Sequence, residues 1–184
     1  MNLLGLDLGS RLTGWACGNG AQLPEVGAWS FSAPDGEYGA LLAQLEDHLQ
    51  ACWLRFDFRA VVYEAPILNT HGRADRQFTD SLSKLRKLYP LGPFLEWWCL
   101  RRDIPCYEAT VGQLKKELTG KGRGDKSAML AVARRIGLDL PAASKGADDA
   151  ADAFAAWLLL LRRYDRTAAE RFDKLIWSPQ SSLI

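Results

Sequence analysis

Two carboxylates stand in apolar segments where a charge needs a specific reason. Asp7 lies inside the apolar run 2–9, and Glu64 ends a second apolar run, 59–64. Burying an unpaired charge in such a strand costs several kcal/mol, so each residue requires a cation or another strong partner. A strand aspartate that pairs with an arginine would satisfy this requirement, and so would a metal ligand.

A further group of carboxylates opens the last long helical segment. Asp149 and Asp152 are three residues apart and therefore lie on one helix face. Asp148 and Asp152 are four apart, so spacing alone does not choose between Asp148 and Asp149. Acidic residues at a helix start also oppose the helix dipole favourably, which is the structural alternative.

Carboxylates at strand ends and a helix start are typical of sites for hard divalent cations. Mg²⁺ uses a few carboxylates together with waters and substrate phosphates. Two such ions, roughly 4 Å apart, can activate a water and stabilise the leaving oxygen of a phosphodiester. The four acids form one candidate site if the fold gathers them in one cleft.

Basic residues are concentrated in the segment 111–135, although the net charge of the chain is only +1. Residues 1–65 carry three Lys or Arg against eight Asp or Glu, whereas residues 66–184 carry twenty against fourteen. A surface that faces phosphates would have this distribution, and so would a solvated helix face. The basic residues of the segment are Lys115, Lys116, Lys121, Arg123, Lys126, Arg134 and Arg135.

Alternation and turn residues predict five strands, at 2–9, 12–18, 26–32, 59–64 and 104–108. The first three are so close in sequence that they must form an antiparallel meander. The later strands follow helical crossovers, which place them parallel to the first.

Helices occupy most of the remaining chain. Apolar spacing predicts one over 37–56, and the segment 77–102 is predicted to be helical with an interruption at Pro90, Gly92 and Pro93. Further helices are predicted over 111–118, from Asp125 to Ile136 with Gly137 ending it, and from Gly146 or Ala147 past Leu161. Loops are predicted at 67–76 and 119–124, and the tail from about 178 is expected to be loosely held.

This order of elements predicts an α/β fold, a mixed five-stranded sheet with helices on both faces. The length of 184 residues suits one domain over 1–184. No apolar run reaches the roughly 18 residues of a membrane helix, and no secretory signal is evident. Four cysteines without a C-x-x-C pair and two isolated histidines favour reduced core thiols in a cytoplasmic protein, without a zinc site.

Four sequence blocks together resemble one family. Residues 4–17, LGLDLGSRLTGWAC, resemble the first-strand motif of the RuvC-type Holliday junction resolvases, and Val61 to Glu64 is similar to their second acidic strand. Residues 113–126, QLKKELTGKGRGDK, resemble the family's Gln-x-Lys and Gly-x-Gly-x-x-Asp-Lys segment. Residues 147–155, ADDAADAFA, resemble its terminal Asp-x-x-Asp helix, an alignment that selects Asp149 over Asp148. The blocks occur in the family's order and extend over about residues 2–165.

The resemblance implies a ribonuclease H-like fold, a homodimer, and paired symmetric nicks in a four-way DNA junction, with Mg²⁺ as cofactor and Mn²⁺ as a substitute. It assigns the metal ligands to Asp7, Glu64, Asp149 and Asp152, and basic active-site roles to Lys115 and Lys126. A cation beside the scissile phosphate would neutralise charge that develops in the transition state.

The sequence departs from the family pattern in two places. Ala65-Pro66 and Ile67-Leu68 stand where the family has glutamine and a loop aromatic, which affects sequence preference and junction opening. The interruption at Pro90 and Pro93 falls in the helix whose family counterpart forms the dimer interface. The aromatic residues Phe94, Trp97 and Trp98 could serve that interface or the core.

Two other functions compete with junction cleavage. A related nuclease that acts on other branched DNA or on RNA would use the same active site. A non-catalytic or ATP-binding relative is disfavoured, because all four carboxylates are present and no second Gly-rich phosphate loop is found.

Overall fold

The computed structural model describes residues 1–34, 36–65, 86–120 and 126–177. Three antiparallel strands open the chain: β1 (Asn2–Asp7), β2 (Leu12–Gly18) and β3 (Glu25–Ser30). The predicted meander is therefore confirmed.

Two strands on the other side of β1 complete the sheet. Helix α1 (Tyr38–Phe56) leads into β4 (Phe58–Glu64), which pairs with β1 in parallel. Helix α2 (Leu91–Leu100) precedes β5 (Cys106–Ala109), which pairs in parallel with β4. The strand order is β3-β2-β1-β4-β5, the mixed five-stranded sheet that the sequence predicts.

The C-terminal half of the described chain is helical. It comprises α3 (Val111–Thr119), α4 (Lys126–Arg135), a 3₁₀ turn (Ala143–Lys145), α5 (Ala147–Tyr164) and α6 (Arg166–Trp177). The middle of α5 is almost completely buried because it crosses the sheet while α3, α4 and α6 pack around it.

Each face of the sheet has its own apolar core. Leu3 of β1 and Val62 of β4 pack beneath α5, whereas Leu4 and Val61 pack beneath α1 and α2. This alternation follows from the two-residue period of a strand. The prediction of helices on both faces is therefore confirmed, and both cores are dominated by aliphatic and aromatic side chains.

Three strand boundaries differ from the prediction by two residues. β1 ends at Asp7 instead of Gly9, because the Thr13 hydroxyl bonds to both the N–H and the carbonyl of Gly9 at 3.1 Å and turns the chain there. β3 covers 25–30 instead of 26–32, since the Ser32 N–H donates to the Gln44 side chain. β5 begins at Cys106 instead of 104, because the Ile104 N–H donates to the Cys99 carbonyl near the end of α2.

Helix α6 was not predicted as a separate element. Its start is set by Asp165, whose carboxylate accepts a hydrogen bond from the Ala168 N–H at 2.9 Å in the manner of an N-cap. Its inner face consists of Ala168, Ala169, Phe172 and Ile176. That spacing of three and four is a helical signal present in the sequence.

The two prolines of α2 explain the predicted interruption. Pro90 precedes the helix and Pro93 lies in its first turn, where a backbone N–H has no acceptor within the helix. Of the aromatic residues, Trp98 is fully buried, whereas Trp97 is half exposed and its ring is tilted by 39° against that of Phe94.

Four parts of the prediction lie outside the described residues: the loop 67–76, most of the helix from Gln77, residues 121–124 of the loop 119–124 together with Asp125, and the tail from about 178. The single domain over 1–184 stays a prediction. No helix in the described part of the chain has the length and apolar character needed to cross a membrane.

Candidate active site

The two strand carboxylates lie side by side at one edge of the sheet. The register pairs Leu6 of β1 with Tyr63 of β4, so Asp7 and Glu64 are the next residues on each strand. Neighbouring strands are about 4.8 Å apart, which sets the separation of the two backbones. Gly5 faces α5 and Val62 packs beneath it, so Asp7 and Glu64, two residues further on, face that helix as well.

Helix α5 reaches this edge because two glycines allow its backbone to touch the sheet. A Cβ at Gly5 would lie 2.3 Å from the Trp157 backbone nitrogen, and one at Gly14 would lie 1.9 Å from the Asp149 carbonyl oxygen. Gly14 is the antiparallel partner of Asp7. The first turn of α5 therefore rests beside Asp7, and Asp149 belongs to the same edge as the two strand carboxylates.

The three aspartates of α5 differ in their surroundings. Asp149 and Asp152 are half-buried, whereas Asp148 is exposed. The neighbouring Ala150 and Ala151 are buried against the sheet. The helix thus turns Asp149 and Asp152 toward partly enclosed positions near the sheet edge and Asp148 toward solvent. Asp7, Glu64 and Asp152 each have at least one interaction partner.

Helix α3 begins at the same edge. Ala109, the residue paired with Glu64, ends β5, and α3 starts two residues later at Val111. A capping box fixes this start: the Thr110 hydroxyl accepts from the Gln113 N–H at 3.3 Å, and the Gln113 side chain accepts from the Thr110 N–H at 2.8 Å. Lys115 follows in the next turn, half-buried and with an interaction partner.

The second candidate cation is the first residue of a helix. Lys126 begins α4, and its side chain is outside the described part. α4 is anchored in the core beneath α5 through Met129 and Ala133. The loop residues Lys121 and Arg123, which precede it, are also outside the described residues.

A charged clamp ties α3, α5 and α6 together. Arg162 of α5 donates to Asp173 of α6 through two nitrogens, at 2.8 and 2.9 Å, and to Glu117 of α3 at 2.8 Å. The hydrogen bonds that Arg162 donates to Asp173, and then to Glu117, raise its pKa above the ordinary value. Glu117 is two residues from Lys115, so the clamp fixes the helix that carries this candidate cation.

The donor set at the sheet edge consists of carboxylate oxygens only. Within the described ranges, no three or more His, Cys, Asp or Glu side chains are close enough together to hold a metal ion. Mg²⁺ is usually bound through one or two carboxylates, with waters and substrate phosphates completing its shell. Paired strand-end carboxylates with half-buried aspartates beside them fit such a cation.

Several residues of the site have roles that the sequence analysis did not identify. Gly5 and Gly14 allow α5 to approach the sheet closely. The sequence signal for this role was their place in strands of a sheet that a predicted buried helix covers. Gln113 caps α3, so this residue of the family-like segment has a structural role. Arg135 donates to the Ile176 carbonyl and is engaged with α6, although it belongs to the basic segment 111–135.

Comparison with known proteins gives several relatives of one name. The chain is 29% identical to crossover junction endodeoxyribonuclease RuvC of Xanthobacter autotrophicus over 174 residues, 93% of this chain and 94% of the relative. It is 30% identical to RuvC of Rhodopseudomonas palustris over 159 residues, 84% of this chain and 83% of the relative. No protein-family profile matches the chain.

Solved structures agree on the fold. Thermus thermophilus RuvC matches with a TM-score of 0.55 and 19% identity, covering 89% of this chain and 96% of that one. A second structure of that protein, in complex with a Holliday junction substrate, matches with a TM-score of 0.56 and 17% identity over 90% and 96% of the two chains. The ribonuclease H-like fold is thus confirmed. Because relatives of up to 30% identity match over most of their length, the chain belongs to the RuvC family of crossover junction endodeoxyribonucleases.

Proposed function

We propose that this chain is a divalent-metal-dependent endonuclease that cleaves four-way DNA junctions by paired, nearly symmetric nicks. The observation that carries the proposal is the convergence of three elements at one sheet edge. β1 and β4 end there side by side in Asp7 and Glu64, and the Gly14 contact brings the start of α5 with Asp149 to the same place. The names of the relatives, which refer to a crossover junction and a Holliday junction substrate, support the four-way junction as the substrate.

Two metal ions would be held between them by Asp7, Glu64, Asp149 and Asp152, with Mg²⁺ as the natural ion and Mn²⁺ as a substitute. When bound, they would supply an activated water and stabilisation of the leaving oxygen of the phosphodiester. The chain contributes rigid placement, because the strand residues are fixed by the sheet register and Asp149 by the glycine contact. Such placement is what converts a bound substrate into a reactive one.

Two lysines would act on the scissile phosphate. Lys115 lies in the second turn of a capped helix that starts beside Glu64, and Lys126 is the first residue of α4. A lysine at a helix start opposes the helix dipole, so that position is better explained by an anionic partner than by helix stability. Both would offset the negative charge that develops as the phosphodiester breaks.

The active form would be a homodimer. A four-way junction offers two symmetric strands, and a twofold dimer with two active sites matches that symmetry. The surface of α2 supports a contact between copies, since Trp97 is 50% exposed and Leu100 is 74% exposed on the same short helix. These two residues are three apart and therefore lie on one helix face, and contiguous exposed apolar surface commonly marks an interface.

Single carboxylate substitutions test the active site. Asp7→Asn, Glu64→Gln, Asp149→Asn and Asp152→Asn should each abolish most Mg²⁺-dependent cleavage. Cleavage should be lost because the amide lacks the charge that a divalent cation needs. Junction affinity should stay close to that of the unmodified protein, because the amide keeps the shape of the carboxylate. Affinity is measured in Ca²⁺, whose looser geometry should support binding better than cleavage.

The exposed neighbour provides the matched control. Asp148→Asn removes the same charge one position earlier on the same helix and should leave most of the cleavage rate. An essential Asp148 beside a dispensable Asp149 would shift the assignment of the α5 ligands by one residue. Full cleavage in EDTA would remove the metal from the proposal altogether.

A further inference from the structure

A cavity of about 300 Å³ opens beside the turn that follows Asp7. Its walls include Arg11 of that turn, Phe31 just after β3, Tyr38 at the start of α1, and Lys87 just before α2. This volume is at the lower end of the range for small-molecule sites, so it suits a single ring system with a substituent.

The cavity is close to the proposed cleavage site. Arg11 is four residues after Asp7, which limits the distance between them to about 14 Å along the chain. The Phe31 N–H donates to the Arg11 carbonyl at 2.9 Å, so the cavity wall is fixed to the turn. At a rise of about 3.4 Å per nucleotide, this distance corresponds to at most about four nucleotides of a strand.

The side chains of the cavity combine two cations with two aromatic rings. Arg11 is exposed, whereas Lys87, Phe31 and Tyr38 are half-buried. His48 packs edge-on against the Phe31 ring at 5.6 Å, which helps to hold that ring in place. Interleaved aromatic and basic side chains are what single-stranded nucleic acid binds, with bases on the rings and phosphates on the cations.

One carboxylate also lines the cavity. Glu37, at the start of α1, is exposed and belongs to the rim. It would repel a phosphate, so its removal should act in the opposite direction to removal of Arg11 or Lys87. This opposition in sign gives the cavity an internal control.

We propose that this cavity binds one unstacked nucleotide of the DNA strand next to the cleavage site. Its base packs against Phe31 and Tyr38, and Arg11 and Lys87 hold its phosphates. The proposal rests on the proposed function. It means that the face of the sheet opposite α5 helps to hold the DNA strand that is cut.

The test uses four-way junctions with 2-aminopurine placed one to four nucleotides from the nick on either side. Binding in Ca²⁺ should change the fluorescence at one of these positions, and Phe31→Ala should abolish that change and weaken binding by about tenfold, within the range for one stacked base. Phe31→Leu keeps the apolar bulk without the ring and should fail in the same way while it folds like the unmodified protein.

Charge variants give a second readout. Arg11→Ala and Lys87→Ala should each reduce the slope of log affinity against log salt by about 0.9, as expected for one lost phosphate contact. Glu37→Gln should bind at least as tightly as the unmodified protein. The matched control is Arg59→Ala, which removes an exposed arginine at the opposite end of β4, where it pairs with Asp57. Its salt slope should be unchanged.

The outcomes separate the two proposals. If the unmodified protein neither binds nor cleaves the junction, the proposed function fails. If it cleaves, but no 2-aminopurine position responds, or Phe31→Ala and Phe31→Leu respond like the unmodified protein, then the nucleotide site is wrong while the proposed function stands.

Discussion

The contact between Gly14 and α5 predicts that one added methyl group disables the active site. A Cβ at Gly14 would lie 1.9 Å from the Asp149 carbonyl oxygen and 2.2 Å from its carbonyl carbon, both of them backbone atoms. Ordinary contact begins at 3.4 Å. In Gly14→Ala the first turn of α5 must therefore move by about 1.5 Å, because a packed backbone cannot yield as a side-chain end does.

The displacement should reduce catalysis more than stability. Overpacking of this kind costs about 1–3 kcal/mol of unfolding free energy. For a chain of this size each kcal/mol lowers Tm by about 2–4 °C. A shift of about 1 Å in a catalytic group can cost about a hundredfold in rate. Gly14→Ala should therefore fold, yet cleave the junction at least about a hundredfold more slowly at saturating protein.

Gly18→Ala is the matched control. It makes the same change on the same face of β2, where the new Cβ would lie 3.0 Å from Pro24 Cα, but at the end of the strand away from Asp7. Cleavage rates and thermal melting curves of both variants are compared at a temperature where both are folded. A folded Gly14→Ala protein that cleaves as fast as Gly18→Ala would refute the placement of Asp149 beside Asp7.

Two further predictions concern the helices around the site. Lys126→Ala should lower the cleavage rate at saturating protein by about a hundredfold or more, measured by single-turnover cleavage, with junction affinity nearly unchanged. Lys115→Ala should have a smaller effect. A change in affinity alone would mean that the lysine binds phosphates of the DNA backbone and does not act in catalysis. Glu117→Gln should slow cleavage more than Asp173→Asn, because Glu117 lies on the helix of Lys115 and Asp173 does not. Each substitution should cost about 1 kcal/mol of unfolding free energy at this partly exposed site, measured by thermal unfolding. Equal effects on cleavage would make the clamp purely structural.

The sheet could be predicted because its signals are local. Short turns enforce the antiparallel meander, and helical crossovers enforce the parallel strands, so the sequence also places Asp7 and Glu64 at one edge. Their adjacency depends only on which strands pair, and β1 and β4 pair in the expected direction.

Other features depend on contacts between distant residues, which local sequence signals do not report. Helical spacing leaves the choice between Asp148 and Asp149 open, and within the sequence only the family resemblance selects Asp149. The difference in their burial appears when α5 is seen against Gly14. The end of β1 is set by the hydroxyl of Thr13, which competes with the strand ladder. The separation of α6 from α5 depends on Asp165 acting as a cap, a role that many surface aspartates do not have.

Cleavage of a synthetic four-way junction, beside duplex, flap and RNA–DNA hybrid substrates of the same sequence, tests the central claim most directly. In Mg²⁺ the unmodified protein should cut the junction in preference to the others, at paired and nearly symmetric positions, leaving 5′-phosphate and 3′-hydroxyl ends. The reaction should stop in EDTA. Equal or better cleavage of the hybrid or the flap, or junction cleavage without paired nicks, would contradict the assignment of this chain as a junction-resolving endonuclease.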